Sequence, residues 1–115
     1  MTTIFGIPNC DTIKKAKKWL NEHQIDYDFH DYRKDGVTID WLNSVEPHLG
    51  WEVMLNKRGT TFRQLEEEDK QNMDKEKALL LLAKYPAMIK RPIVEHTGHY
   101  HIGFSPSQFK EVFNK

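Results

Sequence analysis

A strand, a helix and a second strand follow one another at the start of the chain. That order forces the two strands to lie parallel, joined by a right-handed crossover. In "IFGIPNC" the residues Ile4, Phe5 and Ile7 are β-formers, and Gly6, Pro8 and Asn9 end the run. In "DTIKKAKKWL" the residues Ile13, Ala16, Trp19 and Leu20 recur at helical spacing, with four lysines on the opposite face. In "IDYDFHDYR" the residues Ile25, Tyr27 and Phe29 alternate. That pattern predicts a strand from about 25 to 30; it breaks at Asp31, and Tyr32 falls on the other face.

The remainder reads as a helical middle, a hairpin and a last helix. "KDG" (34–36) is a turn signal. Thr38 can cap a helix carrying Trp41, Leu42, Val45 and Leu49, closed by Gly50. Pro47 lies inside that span, where a proline ends or kinks a helix. A loop follows around "NKRGTT" (56–61), with a short helical piece near Phe62 and Leu65. Asp74 can cap "KEKALLLLAKY", which ends before Pro86. "AMIKRPIVEHTGHYHIGF" (87–104) reads as two short strands about Thr97-Gly98. Ser105 and Pro106 open a helix with Phe109, Val112 and Phe113 on its apolar face. The predicted architecture is α/β: a mixed four-stranded sheet with flanking helices. The stretch 37–85 is expected as a helical insertion within one domain, too poor in apolar residues to have its own core. At 115 residues the chain suits a single domain.

Cys10 is the only cysteine, and it falls at the strand-to-helix turn. The first N–H groups of a helix lack intrahelical partners, and the helix dipole places positive charge there. A thiolate at that position is stabilised, and its pKa falls from the free value of about 8.5. The plainer reading is a small buried hydrophobe that happens to follow a strand.

Composition narrows the classes. Charged residues make up 30% of the chain, yet the formal net charge is zero, so no global field calls for nucleic acid or an acidic membrane. No apolar run approaches the length of a membrane span. The N-terminus lacks a basic-then-apolar signal pattern. One cysteine cannot form an internal disulfide, and the expected compartment is the cytoplasm. No metal-ligand spacing stands out. In "HTGHYH", alternation puts His99 and His101 on one strand face, which suits either a transition metal or an exposed hairpin. Neither a resident metal nor a bound cofactor is expected, and a monomer is.

The joint pattern resembles the thioredoxin fold, and within it the arsenate-reductase-like family (ArsC/Spx), most of all its YffB branch. The stretches that carry the resemblance are "FGIPNCDTIKKAKKWL", "IDYDFHDYRKDG", "LNKRGTTFRQL", "PAMIKRPIV" and "GFS", which span nearly the whole chain. The resemblance implies that Cys10 is the nucleophile and that Arg91 is catalytic, an anion clamp beside it. It also implies that Arg91-Pro92 is a cis peptide next to the cysteine. Asn9, Thr12, Lys14, Arg58 and Pro92 become the implied substrate-binding positions. Lys17 and Lys18 suit a solvated helix face.

The chain departs from the pattern of the family it resembles at three places. Arsenate reductases of this type carry an arginine near Asn56, with Arg58 two residues on here, and another where this chain has Phe104-Ser105. Spx-type regulators carry a Cys-x-x-Cys pair, where this chain has Ile13. The resemblance therefore implies a thiol reductase that draws its resolving thiol from outside. Glutathione is the expected co-substrate and glutaredoxin a further candidate partner; arsenate turnover is expected to be weak. The competing expectations are an adaptor that binds RNA polymerase and a genuine arsenate reductase.

Overall fold

The strand at Thr2–Gly6 (β1) occupies an inner position of a four-stranded sheet. A helix at Asp11–Glu22 (α1) returns the chain to a second strand at Asp28–Asp31 (β2), parallel to β1. On its other side β1 pairs antiparallel with Ile93–His96 (β3). β3 pairs antiparallel with His99–Ile102 (β4), giving the order β2-β1-β3-β4. This is the mixed four-stranded, thioredoxin-like sheet expected from the sequence. The computed structural model describes all 115 residues, Met1–Lys115. They form two compact units: Met1–Gly36 with Arg91–Lys115, and Val37–Lys90.

β2 starts later than the alternation suggests. Its first partner on β1 is Thr3, opposite Asp28. The Ile25 N–H instead donates to the Leu20 carbonyl at 3.0 Å, which finishes α1. Ile25 and Tyr27 still pack against the core. Their alternation recorded burial, which precedes strand pairing here by three residues.

The core of the sheet-bearing unit lies where α1 and the last helix, Pro106–Phe113 (α7), cover one face. Ile4 and Val94 come from the sheet, Ala16, Trp19 and Leu20 from α1, and Phe109 and Phe113 from α7. Trp19 and Phe109 meet edge to face with centroids 5.4 Å apart. Such aromatic pairs add about 0.5–1.5 kcal/mol beyond their buried area. The Ser105 hydroxyl accepts from the Gln108 N–H at 3.1 Å, which is the expected N-cap of α7.

The second unit is helical: Ile39–Leu49 (α2), Trp51–Met54 (α3), Thr60–Arg63 (α4), Glu67–Lys70 (α5) and Lys75–Lys84 (α6). Thr38 and Asp74 cap α2 and α6 through their side chains, as expected. Pro47 does not stop α2, which runs to Leu49 and ends at Gly50 with φ +85°. Leu42, Val45, Met54, Ala78, Leu82 and Ile89 are buried in this unit. It extends past 85 because Leu55 bridges Ile89 and the Lys90 N–H donates to the Met54 carbonyl at 2.8 Å. The Lys77 ammonium donates to the carbonyls of Glu68 and Gln71 at 2.7 and 2.6 Å, and this secures α5. No helix of the chain is long and apolar enough to cross a membrane.

Candidate active site

Cys10 is the N-cap residue of α1, with extended backbone at φ −92° and ψ 131°. The Pro8-Asn9 turn is closed by the Cys10 N–H, which donates to the Ile7 carbonyl at 3.2 Å. The Cys10 carbonyl accepts the first helical bond, from the Lys14 N–H at 3.0 Å. The sequence folds this way because Pro8 and Asn9 stop the strand and leave Cys10 at the turn's exit. Its thiol is half-buried.

The guanidinium of Arg91 reaches the thiol from 81 residues away, its Nε donating to the Cys10 Sγ at 3.4 Å. Arg91 precedes β3, next to the inner strand that leads into Cys10. The Arg91-Pro92 peptide is cis. The Pro92 carbonyl accepts from the Gly103 N–H at 2.8 Å, which ties the base of the β3–β4 hairpin.

Burial works to raise the Cys10 pKa. The N–H groups of Ile13 and Thr12 and the Arg91 guanidinium together outweigh it, and the thiol lies below its ordinary value. Neither N–H closes a capping bond on the neutral thiol. Both favour the negative sulfur that forms on deprotonation. A group with a depressed folded-state pKa adds stability above its unfolded pKa, and that stability is lost as pH falls through the folded value. The stability advantage of wild type over Cys10→Ser is therefore expected to grow with pH from the depressed folded value up to about 8.5 and then level off. Denaturant titrations of both proteins at several pH values measure it; a pH-independent difference contradicts it.

The remaining candidate residues divide. Asn9 is exposed in the turn beside Cys10. Thr12 and Lys14 lie in the first turn of α1, where Thr12 offers its N–H to the sulfur and Lys14 is exposed. Pro92 is buried next to Arg91. Arg58 belongs to the helical unit, exposed in the loop before α4, with its N–H donating to Asn56 Oδ1 at 3.1 Å. Lys17 lies over the Phe29 ring at 3.6 Å, and Lys18 reaches Glu22 at 3.9 Å on an exposed face.

Two positions where the resemblance expects arginine have structural work here. Phe104 stacks edge-on against Phe109 at 4.7 Å, and Ser105 caps α7. Asn56 braces its own loop: its N–H donates to the Met88 carbonyl at 2.8 Å and its side chain accepts from Arg58. The histidines of "HTGHYH" lie on the β3–β4 hairpin, with His96 opposite His99 and bonded to the Thr2 hydroxyl at 2.8 Å. No three His, Cys, Asp or Glu side chains are grouped to hold a metal ion. A groove of about 610 Å³ in the helical unit, between α2 and α6, contains none of the candidate residues.

Sequence reasoning overlooked Tyr32 and Gly6. Tyr32 is 1% exposed; burial pushes its phenol far above the usual range, and the Arg91 charge partly opposes that. Gly6 was legible only as a strand breaker, yet a Cβ there meets the Ile13 side chain.

Three comparisons bear on this arrangement. A model of the ArsC family matches residues 5–112. An uncharacterized protein of Haemophilus influenzae is 47% identical over 113 residues, 98% of this chain and 99% of its own length. The solved structure of a YFFB protein superposes with a TM-score of 0.94 at 42% identity, covering 97% of this chain and 98% of its own. The global transcriptional regulator Spx of Streptococcus pyogenes is 26% identical over 117 aligned residues, 100% of this chain and 87% of its own.

Proposed function

Since the chain belongs to the ArsC family, we propose that it is a cytoplasmic thiol oxidoreductase with Cys10 as its nucleophile and glutathione as its resolving thiol. The observation that carries this reading is the Arg91 Nε placed 3.4 Å from the sulfur of the sole cysteine. The Cys10 thiolate attacks one sulfur of a disulfide, a new S–S bond forms, and the other sulfur departs as a thiolate. Glutathione thiolate then attacks the Cys10 adduct and frees Cys10. With a glutathione mixed disulfide as substrate, Cys10 takes the glutathionyl sulfur and the other thiol departs; one glutathione thiol then frees Cys10, and the product is glutathione disulfide.

A single cysteine makes the outside thiol obligatory, because no second sulfur in the chain can close an internal disulfide. Arg91 and Lys14 are the cations suited to the carboxylates of glutathione, and a glutaredoxin can serve as the second thiol donor.

Mass spectrometry after exposure to glutathione disulfide tests the reading. One glutathione per folded chain, on Cys10 and released by excess reduced glutathione, is the expected result. A folded protein that takes up no glutathione, or holds it against excess thiol, overturns the reading.

The match to a transcriptional regulator over the full length of the chain favours a second reading, an adaptor that binds RNA polymerase. A cytosolic pull-down with wild type and Cys10→Ser separates the two. A partner held equally by both proteins supports the adaptor; a catch lost with the thiol supports the oxidoreductase.

A further inference from the structure

We propose that Gly6 is a positioning residue for the candidate site: its bare Cα seats Ile13 and so holds the first turn of α1 on the Cys10 sulfur. The proposal rests on the reading of Cys10 as a working thiolate, and it concerns how that thiolate is made.

Gly6 is the last residue of β1 and is buried. A Cβ built on it runs into Ile13 Cδ1, lies 2.9 Å from Ile13 Cγ1 and stands 3.9 Å from the Arg91 Cβ. The space above Gly6 is therefore filled from one side by the first turn of α1, and Arg91 lies at ordinary contact distance on the other. Ile13 is 0% exposed, so its side chain has no free volume into which to swing. A methyl group at position 6 displaces the Ile13 side chain, and in close-packed surroundings the first turn of α1 is expected to shift with it, carrying the Ile13 N–H. That N–H is one of the groups favouring the negative sulfur. Gly6 has no left-handed φ and closes no turn of its own. The need for glycine here comes from close approach, which lets helix and strand meet near enough to aim backbone donors at the residue between them.

The test follows the Cys10 thiolate by its ultraviolet absorbance against pH, in proteins shown to be folded by circular dichroism. Gly6→Ala is expected to raise the midpoint by about one unit, a tenfold change in the ionisation constant, the size of one lost hydrogen bond to a charged group. Gly6→Ala combined with Ile13→Ala removes the atoms that the new methyl meets and is expected to return the midpoint towards wild type. If Gly6→Ala alone does not fold, the double variant still decides. A folded double variant whose midpoint stays high shows that the seat at Gly6 does not set the donors. A folded Gly6→Ala with the wild-type midpoint overturns the proposal directly. The titration needs no glutathione, so a failure of the glutathione reading shows in the adduct experiment and leaves this result standing.

Discussion

Glutathione-dependent reduction of a small mixed disulfide is expected to vanish in Cys10→Ser and to fall about tenfold to a hundredfold in Arg91→Gln. The first loss follows from removing the one thiol the chain has. The second is a matter of magnitude. A hydrogen bond to a charged group contributes about 1.5–3 kcal/mol, and each 1.4 kcal/mol is a factor of ten. Part of that loss is offset, because a thiolate of higher pKa is intrinsically more nucleophilic, with a Brønsted slope of about 0.4–0.5. If Arg91 acted only by tuning the thiol, a one-unit rise would cost at most about threefold at neutral pH. A larger loss means that Arg91 also anchors the substrate. Steady-state kcat/KM with the disulfide, set beside iodoacetamide alkylation rates across pH, separates the two contributions. An Arg91→Gln protein with both the wild-type alkylation profile and the wild-type kcat/KM removes Arg91 from the site.

Arsenate is expected to be turned over at least about tenfold less efficiently than a glutathione mixed disulfide. A desolvated oxyanion needs several fixed donors, and bidentate arginines supply them best. Here Phe104 is committed to Phe109, Ser105 to capping α7, and Asn56 to its own loop. None of these side chains brings a cation. A disulfide needs the reactive sulfur and looser anchoring of carboxylates. Coupled assays with glutathione and glutaredoxin, run with either substrate, give the ratio. Equal efficiencies show that the missing arginine is supplied in another way.

Where a residue's role was local, the sequence displayed it. Thr38, Asp74 and Ser105 were legible as caps because a short polar side chain before an apolar period has a local physical cause. The strand–turn–helix around Cys10 was legible for the same reason. α3 and α5 were not, since four residues complete about one helical turn and show no periodicity. The start of β2 was misplaced because burial and pairing leave the same alternation. The meeting of Cys10 and Arg91 depends on the register of β1 against β3, a long-range fact that only the family resemblance brought within reach. The need for glycine at position 6 stayed hidden, because nothing in the sequence tells that Ile13 folds back over it.

The sheet order has a consequence for synthesis. β1 leaves the ribosome before the other three strands of its sheet and is destined for an inner position. Its parallel neighbour β2 follows soon after, but its other neighbour does not: Thr2 waits for His96, 94 residues later. Through the making of the whole helical unit, one edge of β1 has no strand to pair with, an interval of exposure to wrong partners. The chemistry is delayed by the same geometry. Arg91 is added 81 residues after Cys10, so a growing chain carries the cysteine without the guanidinium that reaches its sulfur. On the proposed reading, the sulfur receives its hydrogen bond from Arg91 only when β3 docks, so that part of the site forms last.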